Sequence, residues 1–218
     1  MPWHLTLALV ILGVFLGHIT QNLIAHLNVP KEGITDRLHL FTSPINHYFV
    51  THRDAANAAL ITTSLWFDFS VLFLMLRSIF GGTIRPYLGL FLLILIRQSL
   101  QFLVSFSLPE NIVWRDPGVP SLFVDYSVSN DFYFSGHTGV TLLCALELMF
   151  YHKRWLTTLG FVMFAYTISV LICLRFHYTM DIFTAIVVVF CVRHIANKWA
   201  RPIDHYCHDL VKKFKKPR

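Results

Sequence analysis

The stretch WLTTLGFVMFAYTISVLICL, residues 155–174, runs for 20 residues without a charged side chain. About 20 residues of α-helix cross a hydrocarbon layer of ~30 Å, so length and polarity alone read this run as a membrane span. It ends on Arg175-Phe176-His177-Tyr178-Thr179-Met180-Asp181, after which another apolar run begins. Working outward from it, further apolar runs, some holding one or two charged residues, lie at Leu5–Leu27, Ala55–Phe80, Pro86–Leu108, Gly136–Tyr151 and Ile182–Trp199, of which Gly136–Tyr151 is short for a bilayer. The first is also readable as a cleaved signal peptide, but no Lys or Arg precedes its apolar core, and that core continues for more than 20 residues, against about 7–15 in a signal. Gly81-Gly82, Pro109, Pro117-Gly118 and Lys153-Arg154 mark the connections as turns.

Composition agrees. Of 218 residues, 55% are apolar and 14% charged, and the mean hydropathy is +0.57. Ordinary soluble domains are about 45–50% apolar and about 25% charged, so most soluble-enzyme, disordered and coiled-coil readings are excluded. The expected fold is all-α: a polytopic integral membrane protein of six transmembrane helices in a bundle. Residues 1–204 are expected to form this six-span domain, with the motifs read below as catalytic in 86–200, and residues 205–218 a basic tail expected in the cytoplasm.

The net charge of +6 is placed unevenly. Arg77, Arg85, Lys153, Arg154, Arg193, Lys198, Arg201 and the tail cations Lys212, Lys213, Lys215, Lys216 and Arg218 fall at one end of the bundle. The other end holds Lys31, Arg37, Arg53, Arg115 and Arg175 beside seven acids, among them Asp36, Asp116, Asp125 and Asp131. The positive-inside rule then puts both termini in the cytoplasm, and residues 28–54 and 109–135 on the extracytoplasmic or lumenal side. The tail suits anionic headgroups, and no basic patch interleaved with aromatics points to nucleic acid. Cys144, Cys173, Cys191 and Cys207 form no readable disulfide framework. His205-Tyr206-Cys207-His208-Asp209 has metal-ligand residue types but lies in the tail, far from the motifs, and reads as surface.

Two motifs on the acidic side carry chemistry. Ser135-Gly136-His137-Thr138 starts a span, where unpaired backbone N–H groups and the helix dipole favour an anion. Gly136 lets a phosphate approach that backbone, and Ser135 and His137 add a hydroxyl and an imidazole. Ser135 as a plain N-cap beside an interfacial histidine is the blander reading. In the second motif His177 and Asp181 stand four apart, so the carboxylate can hold one imidazole nitrogen and leave the other to attack phosphorus. A structural His–Asp pair sealing a helix start would use the same spacing. Both motifs on one membrane face favour the catalytic reading.

Ser135-Gly-His-Thr followed by His177-Tyr-Thr-x-Asp181 resembles the lipid phosphatase and phosphotransferase superfamily, PAP2. The nearest branch in motif pattern is that of sphingomyelin synthases and plant phosphatidylcholine:diacylglycerol cholinephosphotransferases. Asp131-x-x-x-Ser-Gly-His-Thr is similar to the former, Arg175-x-His-Tyr-Thr-x-Asp to the latter, and Arg97 with Leu108-Pro109 matches an intramembrane arginine and proline-bearing exit of that branch. The lipid-phosphate phosphatases differ: they carry Lys-x6-Arg-Pro, Pro-Ser-Gly-His and Ser-Arg-x5-His-x3-Asp. Here Ser78 stands in place of the lysine, Phe134 in place of the proline and Val170-Leu171 in place of Ser-Arg. Ser129-Asn130 replaces the Cys-Gly that sphingomyelin synthases place before the aspartate.

The resemblance implies His177 as nucleophile, Asp181 as its orienting carboxylate and His137 as proton donor and acceptor. It implies Ser135, Gly136, Arg97, Arg175, Asp131 and Tyr178 as substrate- or phosphate-binding residues, with neither metal nor other cofactor. The expected partners are a phospholipid donor and a lipid alcohol acceptor, diacylglycerol or ceramide, exchanging a headgroup such as phosphocholine. A lipid phosphatase or phospholipase C-like hydrolase and a non-catalytic lipid-binding scaffold are the alternatives. Trp114, Asp116, Phe123, Asp125, Tyr126, Asp131, Phe132 and Tyr133 provide the aromatic faces and carboxylates that recognise a quaternary ammonium.

Other polar residues lie at membrane depth. Asp68 and Arg97 fall mid-span in successive spans, so they either pair with each other or Arg97 faces the catalytic cavity. His18, Gln21, Asn22 and His26 share a stripe of the first span and face the bundle interior.

Overall fold

The structure is a computed structural model that describes residues 2–27, 34, 36–127 and 132–215. Its elements are helices α1 (Trp3–Leu27), α2 (Arg37–Phe41), α3 (Ser43–Thr51), α4 (Arg53–Phe80), α5 (Arg85–Leu103), α6 (Gly136–Leu148), α7 (Arg154–Cys173) and α8 (Thr179–Lys215). A 3-10 turn, Met149–Tyr151, follows α6, and no strand occurs among the described residues. Five of these helices, α1, α4, α5, α7 and α8, are long and apolar enough to cross a membrane. Their outer faces bear large apolar side chains, such as Phe15 at 62% and Phe183 at 66% exposure, a surface suited to lipid rather than water.

The expected short span is α6. Its 13 residues cover about 20 Å, less than the ~30 Å of a bilayer core, so five helices rather than six meet the length of a span. Apart from His137, every residue of α6 is buried. It is the central helix, packed by α4, α5, α7 and α8, while α1 lies outside against α4 and α5. Small residues make this packing close. A Cβ on Gly160 of α7 would stand 2.8 Å from the Ala145 Cα of α6, and one on Gly139 would stand 2.9 Å from Leu93 Cδ1 of α5.

Two further boundaries differ from the sequence reading. Helix α5 stops at Leu103, because Val104 turns extended, and residues 104–109 leave it as irregular chain. Helix α8 starts at Thr179 and passes through Pro202 and the expected tail to Lys215.

Polar contacts gather the connections at two ends. At one, Arg85 Nη2 meets the buried Glu147 at 2.6 Å, its guanidinium stacks 3.8 Å over Phe150, and the Ile84 N–H donates to Asp204. At the other lie α2, α3, residues 104–127 and both histidine motifs.

Asp68 does not pair with Arg97. Its carboxylate accepts from the Ser121 hydroxyl at 2.9 Å and from the N–H groups of Leu122 at 2.8 Å and Phe123 at 3.2 Å. A buried carboxylate needs several donors, and a loop turning back on itself offers backbone N–H groups that a neighbouring helix cannot. Residues 121–123 are thereby drawn down to the middle of α4.

Candidate active site

Ser135 caps α6, its hydroxyl accepting the Thr138 N–H at 3.2 Å. Gly136 follows in the first turn, and a Cβ there would lie 3.1 Å from Arg97 Nε, so the glycine leaves room for the guanidinium to rest against the helix start. Arg97 Nη1 donates to Gln21 Oε1 at 2.6 Å. Gln21 and His18 line the same cavity as Arg97, whereas the side chain of His26 lies outside the described residues. Arg97 therefore lies at this cavity and not against Asp68.

That cavity measures about 1020 Å³. Its polar part holds Gln21, Arg97, Gly136 and His137, and its apolar part runs along α1, α4 and α5 past Val14, Leu16, Val71, Met75, Tyr87, Leu90, Phe91 and Ile94. From Tyr87 to Gln98 this covers about 16 Å of helix. The loop side is formed by Trp114, Asp116, Phe123, Asp125 and Tyr126, among others. His137 is packed by aromatic rings: Phe67 at 4.6 Å, Phe176 at 6.0 Å and Trp114 at 6.4 Å between centroids.

The second motif sits at the junction of α7 and α8. His177 is 2% exposed, and its Nδ1 lies 3.1 Å from Asp181 Oδ2. Asp181 is fully buried in the first turn of α8 and does more than hold the imidazole. Its Oδ2 accepts the Tyr178 N–H at 3.0 Å, its Oδ1 the Tyr133 N–H at 2.9 Å, and its backbone carbonyl the Ser135 N–H at 3.2 Å. One residue therefore fastens the His177 segment to the segment that leads into His137. The rings of Phe132 and Phe176 lie 6.2 and 6.1 Å from that of His177, and Phe134 is buried.

Arg175 and Tyr178, expected on the phosphate, have side-chain donors on protein carbonyls. Arg175 donates through Nη1 to Glu110 O and through Nη2 to His39 O, each at 2.9 Å. The Tyr178 hydroxyl donates to Ser107 O at 3.0 Å. Asp131 lies outside the described residues. Arg175 has φ +59° and Tyr133 φ +82°, so each motif is flanked by a non-glycine residue in the left-handed region. Such residues cost about 1–3 kcal/mol each and persist where surrounding bonds over-determine them.

Three residues near this site were not singled out by sequence reasoning. Asp36 accepts from the Thr179 N–H at 2.6 Å and the Thr179 hydroxyl at 2.9 Å. Burial pushes its carboxyl up, but these bonds and the Leu38 N–H outweigh that and hold it below the usual value. His39 Nε2 lies 3.0 Å from the His177 carbonyl, and Asn46 Nδ2 donates to the Cys173 carbonyl at 2.9 Å. An Asp at the start of a short helix was their only local signal.

Among the described residues no group of His, Cys, Asp and Glu is placed to hold a metal ion; His205 and Asp209 of the tail form an exposed pair at 3.1 Å.

The structure sets a helix start with an arginine against it and a histidine held by a carboxylate in one hydrogen-bonded unit; His137 lines the cavity, and His177 is not among its lining residues. Searches for similar curated proteins and similar solved structures give no match. Residues 129–198, spanning both histidine motifs, match the family model for the C-terminal part of the PAP2 superfamily, and this similarity supports a lipid phosphatase or phosphotransferase.

Proposed function

We propose that the chain is a membrane phosphotransferase that moves phosphocholine from a phospholipid donor to a lipid alcohol, diacylglycerol or ceramide, on the extracytoplasmic or lumenal side. The six-span topology with both termini cytoplasmic is part of the same reading, with α6 as the short, protein-enclosed span. One observation carries it: Asp181 holds His177 Nδ1 while also accepting backbone N–H groups from both motifs. With Nδ1–H given to the carboxylate, the lone pair of Nε2 is the nucleophile.

In the first half-reaction Nε2 forms a bond to phosphorus and the bond from phosphorus to the diacylglycerol oxygen breaks. His137 gives that oxygen a proton, and Asp181 stabilises the imidazolium-like phosphohistidine. In the second, the acceptor hydroxyl oxygen attacks phosphorus, its proton passes to His137, and the P–N bond breaks to restore His177. Arg97, steadied by Gln21, and the N–H groups at the start of α6 offset charge on the phosphoryl oxygens. The apolar length of the cavity suits acyl chains, and Trp114, Tyr126, Asp116 and Asp125 on its loop side suit a quaternary ammonium.

Purified protein given headgroup-labelled phosphatidylcholine and diacylglycerol or ceramide is expected to yield mainly labelled lipid product. Phosphatidic acid is expected to be a poor substrate, because this chain has none of the paired cations that grip a bare phosphate in the phosphatases. Free phosphocholine dominating with every acceptor, or rapid release of phosphate from phosphatidic acid, would instead establish a hydrolase. No turnover of any donor would leave the scaffold.

A further inference from the structure

The segment before α4 grips the catalytic segment at every second residue. Asn46 takes the Cys173 carbonyl, the His39 carbonyl takes the Arg175 guanidinium, the His39 imidazole meets the His177 carbonyl, and Asp36 takes the N–H and hydroxyl of Thr179. These bonds span 127 to 143 residues of chain. The grip is buried: His39 is 6% exposed and Asn46 is 2% exposed. The His39 ring also stacks on Tyr178, with centroids 5.4 Å apart and planes 25° apart.

Local geometry explains why outside help is needed. Arg175 turns left-handed after α7, and α8 begins only at Thr179, so residues 175–178 lie between two helices without a ladder of their own. The His177 carbonyl is buried there, and a buried carbonyl without a donor costs about 1–3 kcal/mol. A carbonyl only accepts, so His39 carries a proton on Nε2 and donates it. Asp36 in turn caps α2 through the Leu38 N–H at 2.9 Å, which fixes the helix bearing His39 relative to Thr179.

We propose that His39 and Asp36 are positioning residues for the nucleophile: acting through the backbone of residues 177–179, they set the place from which His177 addresses Asp181 and the substrate. The proposal rests on the reading of His177 as nucleophile. It differs from a general packing role because it assigns the effect to one hydrogen bond and to the catalytic rate.

The test uses the full-length protein in mixed micelles with labelled phosphatidylcholine and diacylglycerol, with His177→Ala run alongside. His39→Phe keeps a ring for Tyr178 but removes the donor, whereas His39→Gln keeps an N–H donor. Displacing a reacting group by about 1 Å costs up to about 100-fold, so His39→Phe is expected to lower kcat by about 10- to 100-fold. KM should stay within about twofold, as for a loss that leaves ground-state binding intact. His39→Gln should recover most of the rate, and Asp36→Asn should lie between the two. Wild-type kcat in both His39→Phe and Asp36→Asn, or equal loss in His39→Phe and His39→Gln, overturns the proposal.

A second readout needs no lipid turnover. Carbethoxylation of His177 by diethyl pyrocarbonate, followed by mass spectrometry, should accelerate by about fivefold or more in His39→Phe as the segment opens locally, and stay near wild type in His39→Gln. An unchanged rate in His39→Phe overturns the proposal whatever the activity. Full activity of His177→Ala overturns the nucleophile assignment instead, so the two failures are distinguishable.

Discussion

Asp181 accepts three hydrogen bonds through its carboxylate and a fourth through its carbonyl, so its replacement affects both motifs at once. Asp181→Asn keeps the shape but puts an NH2 group among donors and reverses the preferred imidazole tautomer. Turnover is expected to fall by about 10³- to 10⁴-fold, with the helical circular dichroism of the parent retained. His177→Ala and His137→Ala together should cost little more than either alone, since groups acting as a unit do not lose additively. Rate measurements on the single and double variants check this. His39 adds a pH dependence. Burial pushes its imidazole below the ordinary value; the His177 carbonyl, Asp36 and Asp181 pull it back up, and Arg175 pushes it further down. A lowered histidine favours the neutral folded form, so its share of stability is complete above about pH 6.5, the ordinary histidine value, and declines below it toward the folded value. The unfolding midpoint should therefore fall over that window, and fall less in His39→Gln. The two histidine motifs were legible because their spacing is local. Asp36 and His39 were not, because their partners lie more than 130 residues away and no periodic pattern links them.

Helices carry the next level of argument. Helices α1, α4, α5, α7 and α8 were readable as long apolar runs, for which hydropathy is a sufficient guide. The short helices α2 and α3 were not, since five and nine residues are too few for periodicity to declare itself. The end of α5 was misread for a related reason: residues 104–108 are as apolar as the helix before them, but the chain there is irregular, extended at Val104, and its Ser107 carbonyl accepts from Tyr178. Arg97 and Asp68 show the same weakness. Pairing two mid-span charges is a sound default, yet here Asp68 found its donors in a loop that no span-by-span reading brings to that depth. Helix α6 depends on close approach to its neighbours. Gly160→Leu would drive a side chain into Ala145 and separate α6 from α7, at a cost of about 1–3 kcal/mol for overpacking. A lowered thermal midpoint in detergent, alongside an unchanged one for the lipid-facing Val162→Leu, is the expected result.

For the molecule as a whole, the contacts separate an end bearing the motifs from an end bearing the Arg85–Glu147 pair. Single cysteines at Ser127 and Lys153, in a background lacking the native four, should react with a membrane-impermeant maleimide from opposite sides of sealed vesicles. Labelling from one side would overturn the proposed topology. The bonds from residues 36–46 to residues 173–179 also bear on how the protein is made. During synthesis the first half of the site leaves the ribosome 143 residues before Thr179, the partner of Asp36. At about 5–20 residues per second that gap lasts roughly 7–30 s. On the proposed mechanism, the helices made before then surround a site that still has neither its nucleophile nor its orienting carboxylate. The same proposal makes a nascent chain chemically silent until the last helix arrives, and a chain truncated before α8 is expected to stay so.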